Sequence, residues 1–225
     1  MVATLFDFNG VLVDDESVHL AAFREVLGTL GITFDDATYA ERYLGFDDAG
    51  AFRAMLADAG RPVTDGLVAG LIEAKKPVYM DRIAGALVVF EGAAEIVRRR
   101  AARGVVGIVS GALRHEIEHC LGVMGVRDRI AFIVSAEDTA QCKPDPEGYL
   151  LGLAALERAG APRAAVVIED SIAGIEAARR AGLRCVAVTH SYPEARLRAA
   201  GAEVVVPRLA DLTDALLDVP GEPAR

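Results

Sequence analysis

Residues Thr4–Glu16 read TLFDFNGVLVDDE. An apolar run that ends on Asp7 and breaks at Asn9-Gly10 has the form of a buried strand closing on a carboxylate and a turn. The rest of the chain repeats the apolar half of that pattern, and the repetition decides the fold. Five more short apolar runs stand downstream: VVGIVSG from Val105, AFIVSAED from Ala131, AAVVIEDS from Ala164, RCVAVTH from Arg184 and AEVVVP from Ala202. They are rich in β-branched residues and nearly continuous, as parallel strands covered on both faces are. Between them, EGAAEIVRRRAARG, HEIEHCLGVMGV, PEGYLLGLAALERAG and SIAGIEAARRAG carry helical periodicity, and three of the four close on Gly, a common helix stop. Strand alternating with helix predicts a Rossmann-like, doubly wound α/β core.

One gap breaks the alternation. From about Asp15 to about Gly85 no buried strand appears, only helical segments such as SVHLAAFREVLGTLG, DDAGAFRAMLADAG and DGLVAGLIEAKKPVYMDRI. The expected organisation is an α/β core from residues 1–14 and 86–225, with an all-helical cap inserted over 15–85 above the C-terminal edge of the sheet. The tail DVPGEPAR is expected to fray.

The chain has 225 residues, 52% hydrophobic and 25% charged, which suffices for a full core. With 24 basic and 33 acidic residues its net charge is −9, so general attraction to nucleic acid or to an anionic membrane is excluded. No signal-peptide pattern or membrane-length apolar run is read. Cys120, Cys142 and Cys185 are odd in number and lack metal-ligand spacing, as free thiols in a reducing cytoplasm would. The expected state is a monomer or weak dimer.

In an open α/β sheet, ligands bind beyond the carboxyl ends of the strands. The first strand ends in Asp7 and Asn9, the second in Ser110-Gly111, and the fourth in Glu169-Asp170; after the third comes QCKPDPEGY with Lys143. Lys143 is one of only three lysines, beside Lys75 and Lys76, in a chain whose other basic side chains are Arg. Singly, each feature is a commonplace turn or cap. Gathered at one edge, they form a constellation: a carboxylate, a hydroxyl, an ammonium and an acidic pair.

The segments DFNGVLVD, VSGA, KPDP and IEDS resemble, in order, the four motifs of the haloacid dehalogenase superfamily, and the helical insertion is similar to that superfamily's α-helical cap. DFNGVLVDDE is most similar to the β-phosphoglucomutase-like phosphatase group. The resemblance implies a phosphatase whose partner is a small phosphorylated metabolite, in which Asp7 is the nucleophile and Mg²⁺ is held by the Asp7 carboxylate, the backbone carbonyl of Asn9, Asp170 and, directly or through water, Glu169. It places Lys143 beside Asp7 and the phosphoryl oxygens, with Ser110 and the neighbouring amides of Gly111 and Ala112 on the transferring group. These are electrostatic stabilisers of a charged in-line transition state, and the covalent product would be an aspartyl-phosphate.

Asn9 departs from the pattern. The family's phosphatases and mutases carry a second Asp there, as general acid and base. An amide has no titrating proton, so turnover of unactivated esters is expected to fall, whereas the carbonyl ligand survives. Asp14, Asp15, Glu16 and His19 are alternative proton donors. In the cap, His19, Lys75 and Tyr79 are candidates for facing the substrate, although Pro77 disturbs the pattern, and Phe46 and Asp47 stand where a phosphoglucomutase carries a gripping Arg. A phosphosugar mutase and a non-catalytic phosphometabolite binder remain alternatives. Arg98, Arg99, Arg100 and Arg103 read as a solvated helix face, and His115 and His119 as a surface pair.

Overall fold

The computed structural model describes residues 2–219; the end of the tail, from residue 220, lies outside them. The chain divides into two compact units, one running Asp15–Val88 and the other built from the segments on either side of it.

The Asp15–Val88 unit is helical: α1 (Glu16–Gly28), α2 (Asp36–Arg42), α3 (Asp48–Asp58) and α4 (Asp65–Ala86). Three of these begin on side-chain caps that sequence chemistry favours. Asp35 accepts from the Thr38 N–H at 2.8 Å, Asp47 from Gly50 at 2.7 Å and Thr64 from Leu67 at 3.3 Å. Phe23, Leu27, Tyr39, Phe52, Leu56 and Leu71 form its core, with the Phe23 and Phe52 rings edge to face at 5.0 Å. α4 passes unbroken through Pro77. Asp47 serves as the α3 cap, and Phe46 beside it is exposed.

The other unit is the expected doubly wound domain. β1 (Ala3–Phe6) is followed by α5 (Ala93–Ala101), β2 (Val106–Val109), α6 (Arg114–Val123), β3 (Phe132–Val134), α7 (Glu147–Arg158), β4 (Ala165–Glu169), α8 (Ile172–Arg180), β5 (Arg184–Val188), α9 (Glu194–Ala200), β6 (Val204–Val206) and α10 (Asp214–Leu217). All pairs are parallel, in the order β3-β2-β1-β4-β5-β6. β1 is central, with Leu5 in register with Gly107 on one side and Val167 on the other. Leu5, Val109, Leu153, Leu156, Val167, Ile175 and Ala177 pack one face of the sheet into a continuous core. Because every strand runs the same way, the residues that follow β1, β2 and β4 emerge at one edge.

Two surface expectations hold only in part. Arg100 is buried at 1% exposure: its guanidinium donates to Thr4 Oγ1 (2.9 Å), the Val2 carbonyl (3.1 Å), Asp214 (3.1 Å) and Asp218 (2.8 Å). Arg103 also bonds Asp218, Arg99 the Leu212 carbonyl and Arg98 the Met124 carbonyl. Arg98 and Arg103 remain exposed, whereas Arg100 is met by an acidic segment more than a hundred residues on, which a local charge pattern cannot foresee. His115 and His119 are only half exposed, and their Nε2 atoms are shielded from solvent. The neighbouring Glu116 is buried and caps the Leu113 N–H at 3.1 Å, and Glu118 pairs with Arg127.

Candidate active site

β1 delivers Asp7 to the edge, its backbone N–H still bonded to the Ile168 carbonyl at 3.0 Å. The chain then turns tightly. The Phe8 carbonyl accepts from Leu12 at 2.8 Å, and Gly10 adopts φ +73°. Gly is required there twice over: the left-handed backbone suits it, and a Cβ would lie 2.1 Å from Asp170 Oδ2. The turn is thus pressed against the end of β4.

Lys143 reaches in from the loop after β3. Its ammonium lies 2.9 Å from Asp7 Oδ1 and 2.6 Å from Glu169 Oε1, donates to the Val109 carbonyl at 3.2 Å, and sits over the Tyr149 ring. Oxygens of Asp7, Glu169 and Asp170 all lie within 4.8 Å of one another, and all three residues are buried. Ser110 is buried too; its hydroxyl donates to Asn9 Oδ1 at 3.4 Å and accepts from the Ala112 N–H at 3.2 Å. Gly111, between them, is exposed. The structure therefore gathers Asp7, Asn9, Ser110, Gly111, Ala112, Lys143, Glu169 and Asp170 at one edge of the sheet.

The electrostatics arise from three carboxylates sharing one ammonium out of water. Burial, then the charge of Glu169, raise the Asp7 carboxyl to about 6 against the pull of Lys143. Burial, then Glu169 and Asp7, hold Asp170 well above the usual carboxylate range. Burial alone would lower Lys143, but Asp7 and Glu169 outweigh it and raise it. A site with this excess of buried negative charge and an all-oxygen donor set fits a hard divalent cation such as Mg²⁺.

Glu169 is the most heavily bonded of the three. Oε1 accepts from Lys143 and from the Tyr149 hydroxyl at 2.7 Å, while Oε2 accepts from the Asp170 and Ser171 N–H groups and the Ser171 hydroxyl at 3.0 Å. Ser171 also caps α8, accepting from Gly174 at 3.0 Å. Sequence reasoning misses Tyr149. It lies on the buried face of α7, where the only sequence signal is a polar-tipped aromatic in an apolar stripe. It misses His190 and Ser191, after β5, as well. His190 Nδ1–H donates to the Gly10 carbonyl at 2.8 Å, and the Ser191 hydroxyl donates to Asp170 Oδ2. The signal that finds both is the polar pair at the end of the fifth strand.

The cap candidates come together inside the helical unit. Lys75 is fully buried; its ammonium bonds Asp48 at 2.6 Å and donates to His19 Nδ1 at 2.8 Å. His19 Nε2 lies 3.3 Å from Asp15 Oδ2, the same oxygen that accepts the Tyr79 hydroxyl. Glu16 accepts from Tyr39. Asp15, Glu16 and His19, three of the alternative proton donors, thus bond partners of their own unit, while Asp14 is exposed.

Comparison with known proteins identifies the family. Residues 1–182 match the model of the haloacid dehalogenase-like hydrolase family. Validoxylamine A 7'-phosphate phosphatase from Streptomyces hygroscopicus subsp. limoneus is 30% identical, covering 93% of this chain and 93% of its own length. The protein CbbY from Rhodobacter capsulatus is 31% identical over 84% of this chain and 86% of its own length. The solved structure of a mutant CbbY from Rhodobacter sphaeroides in complex with xylulose-(1,5)bisphosphate superposes with a TM-score of 0.79 at 27% identity, covering 97% of this chain and 100% of that one. The family that the four motifs resemble is thereby shown, and this chain belongs to the haloacid dehalogenase-like hydrolases.

Proposed function

We propose that the protein is a Mg²⁺-dependent phosphatase of small phosphate monoesters, working through an aspartyl-phosphate on Asp7 and slowed by Asn9. The observation that carries this reading is Lys143, 2.9 Å from Asp7, beside the Asp7–Glu169–Asp170 cluster. The relatives support the substrate class, since one is a phosphatase of validoxylamine A 7'-phosphate and another is seen with xylulose-(1,5)bisphosphate.

The Asp7 and Asp170 carboxylates and the Asn9 carbonyl would hold the cation, with Glu169 bound to Lys143, Tyr149 and Ser171 as their organiser. Magnesium, when bound, supplies positive charge that keeps Asp7 ionised and offsets the charge of the phosphoryl group. Lys143 orients Asp7 and meets the phosphoryl oxygens, and Ser110 with the Gly111 and Ala112 amides cradles the group in transfer. An Asp7 oxygen bonds to phosphorus as the ester P–O bond breaks. The leaving alkoxide takes its proton from water, because Asn9 has none to give. Water then attacks the phosphorus of the aspartyl-phosphate, releasing phosphate and restoring the carboxylate.

The test is phosphate release from aryl and alkyl phosphates with and without Mg²⁺. Turnover is expected with Mg²⁺, faster on aryl esters, and lost in Asp7→Ala; turnover that survives in Asp7→Ala rules the mechanism out. Asn9 favours one second reading, a phosphometabolite binder, which requires Mg²⁺-dependent ligand binding without turnover on any ester.

A further inference from the structure

We infer that the segment after β5 sets the affinity of the metal site, with Ser191 as a positioning residue for Asp170 and His190 as one for the Gly10 turn. The inference rests on the metal-dependent reading above and goes beyond it to residues outside the four motifs.

β1, β4 and β5 are neighbours in the sheet, so the ends of all three meet. The Ser191 hydroxyl donates to Asp170 Oδ2. The same oxygen abuts Gly10, at the place where a Cβ would come within 2.1 Å. One oxygen of Asp170 thus contacts both a backbone and a hydroxyl, and the two contacts together restrain the direction of its carboxylate. The Gly10 backbone is itself held, because its carbonyl accepts from His190 Nδ1–H at 2.8 Å and the His190 ring stacks on Phe90 at a centroid distance of 3.8 Å. Through Gly10 this contact reaches the adjoining Asn9 carbonyl, the backbone donor to the cation. One short segment thus restrains donors from two strands.

A restrained carboxylate loses less rotational freedom on ligating a cation, and outer partners of this kind typically contribute about 10–100-fold to metal affinity. Ser191 is exposed, so truncating it leaves the core untouched.

The experiment is calorimetric titration of Mg²⁺ into the full-length protein, Ser191→Ala and Ser191→Thr, with the melting temperature of each in EDTA. Ser191→Ala is expected to weaken Mg²⁺ binding by about tenfold at an unchanged metal-free melting temperature, and Ser191→Thr, which keeps a hydroxyl, to restore it. An unchanged dissociation constant in Ser191→Ala, whether or not the melting temperature falls, overturns the inference. So does a Thr variant as weak as Ala. If the wild-type protein itself binds no Mg²⁺, the metal-site reading fails and takes this inference with it; Mg²⁺ binding indifferent to Ser191 leaves that reading standing alone.

Discussion

Replacing Asn9 by Asp exchanges an amide nitrogen for a carboxylate oxygen with almost no change of shape. The side chain already lies at the strand edge, with its Oδ1 accepting from Ser110 at 3.4 Å, so the Asp carboxyl inherits a hydrogen-bond donor. It also joins Asp7, Glu169 and Asp170, which lie within 4.8 Å of one another. The nearby carboxylates repel a further negative charge and so favour the protonated form of the newcomer. A carboxyl can change its proton state in the course of the reaction, which a general acid must do and an amide cannot. Positioned acid–base help contributes roughly 10²–10⁴-fold in rate, equivalent to about 3–5 kcal/mol of barrier. The Asn9→Asp variant should therefore raise kcat on a sugar phosphate by about that factor. On p-nitrophenyl phosphate, whose leaving group departs without a proton, it should gain less than about tenfold. Phosphate release from both esters at saturating Mg²⁺ measures the two factors side by side. Equal gains would mean that Asn9→Asp acts on binding or on the metal; no gain would mean that another group already donates the proton. Either result refutes the reasoning.

The metal-free protein should gain stability as pH falls from 7 towards 4. The folded value of Asp7 is raised from 3.8 to about 6, so the stability it contributes is present below its unfolded value and lost as pH rises through the folded one; Asp170 shifts the same way. Urea unfolding in EDTA should show the gain, and Asp7→Asn should shrink it. Gly174→Ala places a Cβ 1.8 Å from Glu169 Oε1, forcing Glu169 off Lys143 and Tyr149. It should cost about 1–3 kcal/mol with a loss of kcat, and kcat equal to that of the wild type would show that Glu169 organises nothing. Arg100→Ala removes the buried guanidinium that ties Thr4 Oγ1 and the Val2 carbonyl to Asp214 and Asp218, which keep Arg99 and Arg103 as partners; denaturation should show a loss of about 1–3 kcal/mol with kcat of the folded fraction unchanged.

All six strands are legible in the sequence because a strand buried on both faces must be apolar along its whole length, and β4 shows this from Ala165 to Ile168. Their parallel alignment then brings Asp7, Ser110 and Glu169 to one edge by geometry alone. The short helices α2 and α10 are not legible. Each begins on a local cap, Asp35 and Thr213, but is too short to show a period. The buried Arg100 and the Lys75–Asp48–His19 cluster are hidden for a different reason. Their partners lie tens of residues away, up to 118 for Arg100 and Asp218. A charged residue in sequence carries no mark of whether its counter-charge will fold onto it. Ser191 and His190 are hidden in plainer fashion, at the end of a strand that carries none of the four motifs.

The two segments that join the helical unit to the sheet unit lie side by side. Val13 bridges Val89 in antiparallel fashion, and the Phe90 N–H bonds the Leu12 carbonyl at 3.1 Å. Antiparallel partners stand only about 5 Å apart at Cα, the separation that a two-residue Asn-Gly hairpin spans. The sheet unit is thus already spliced at the seam. Everything from Asp15 to Val88 could be exchanged for a tight turn, or for another insert whose ends are equally close, without moving a strand. In such a graft the edge that carries Asp7 and Asp170 would stay constant while the inserted part is free to vary.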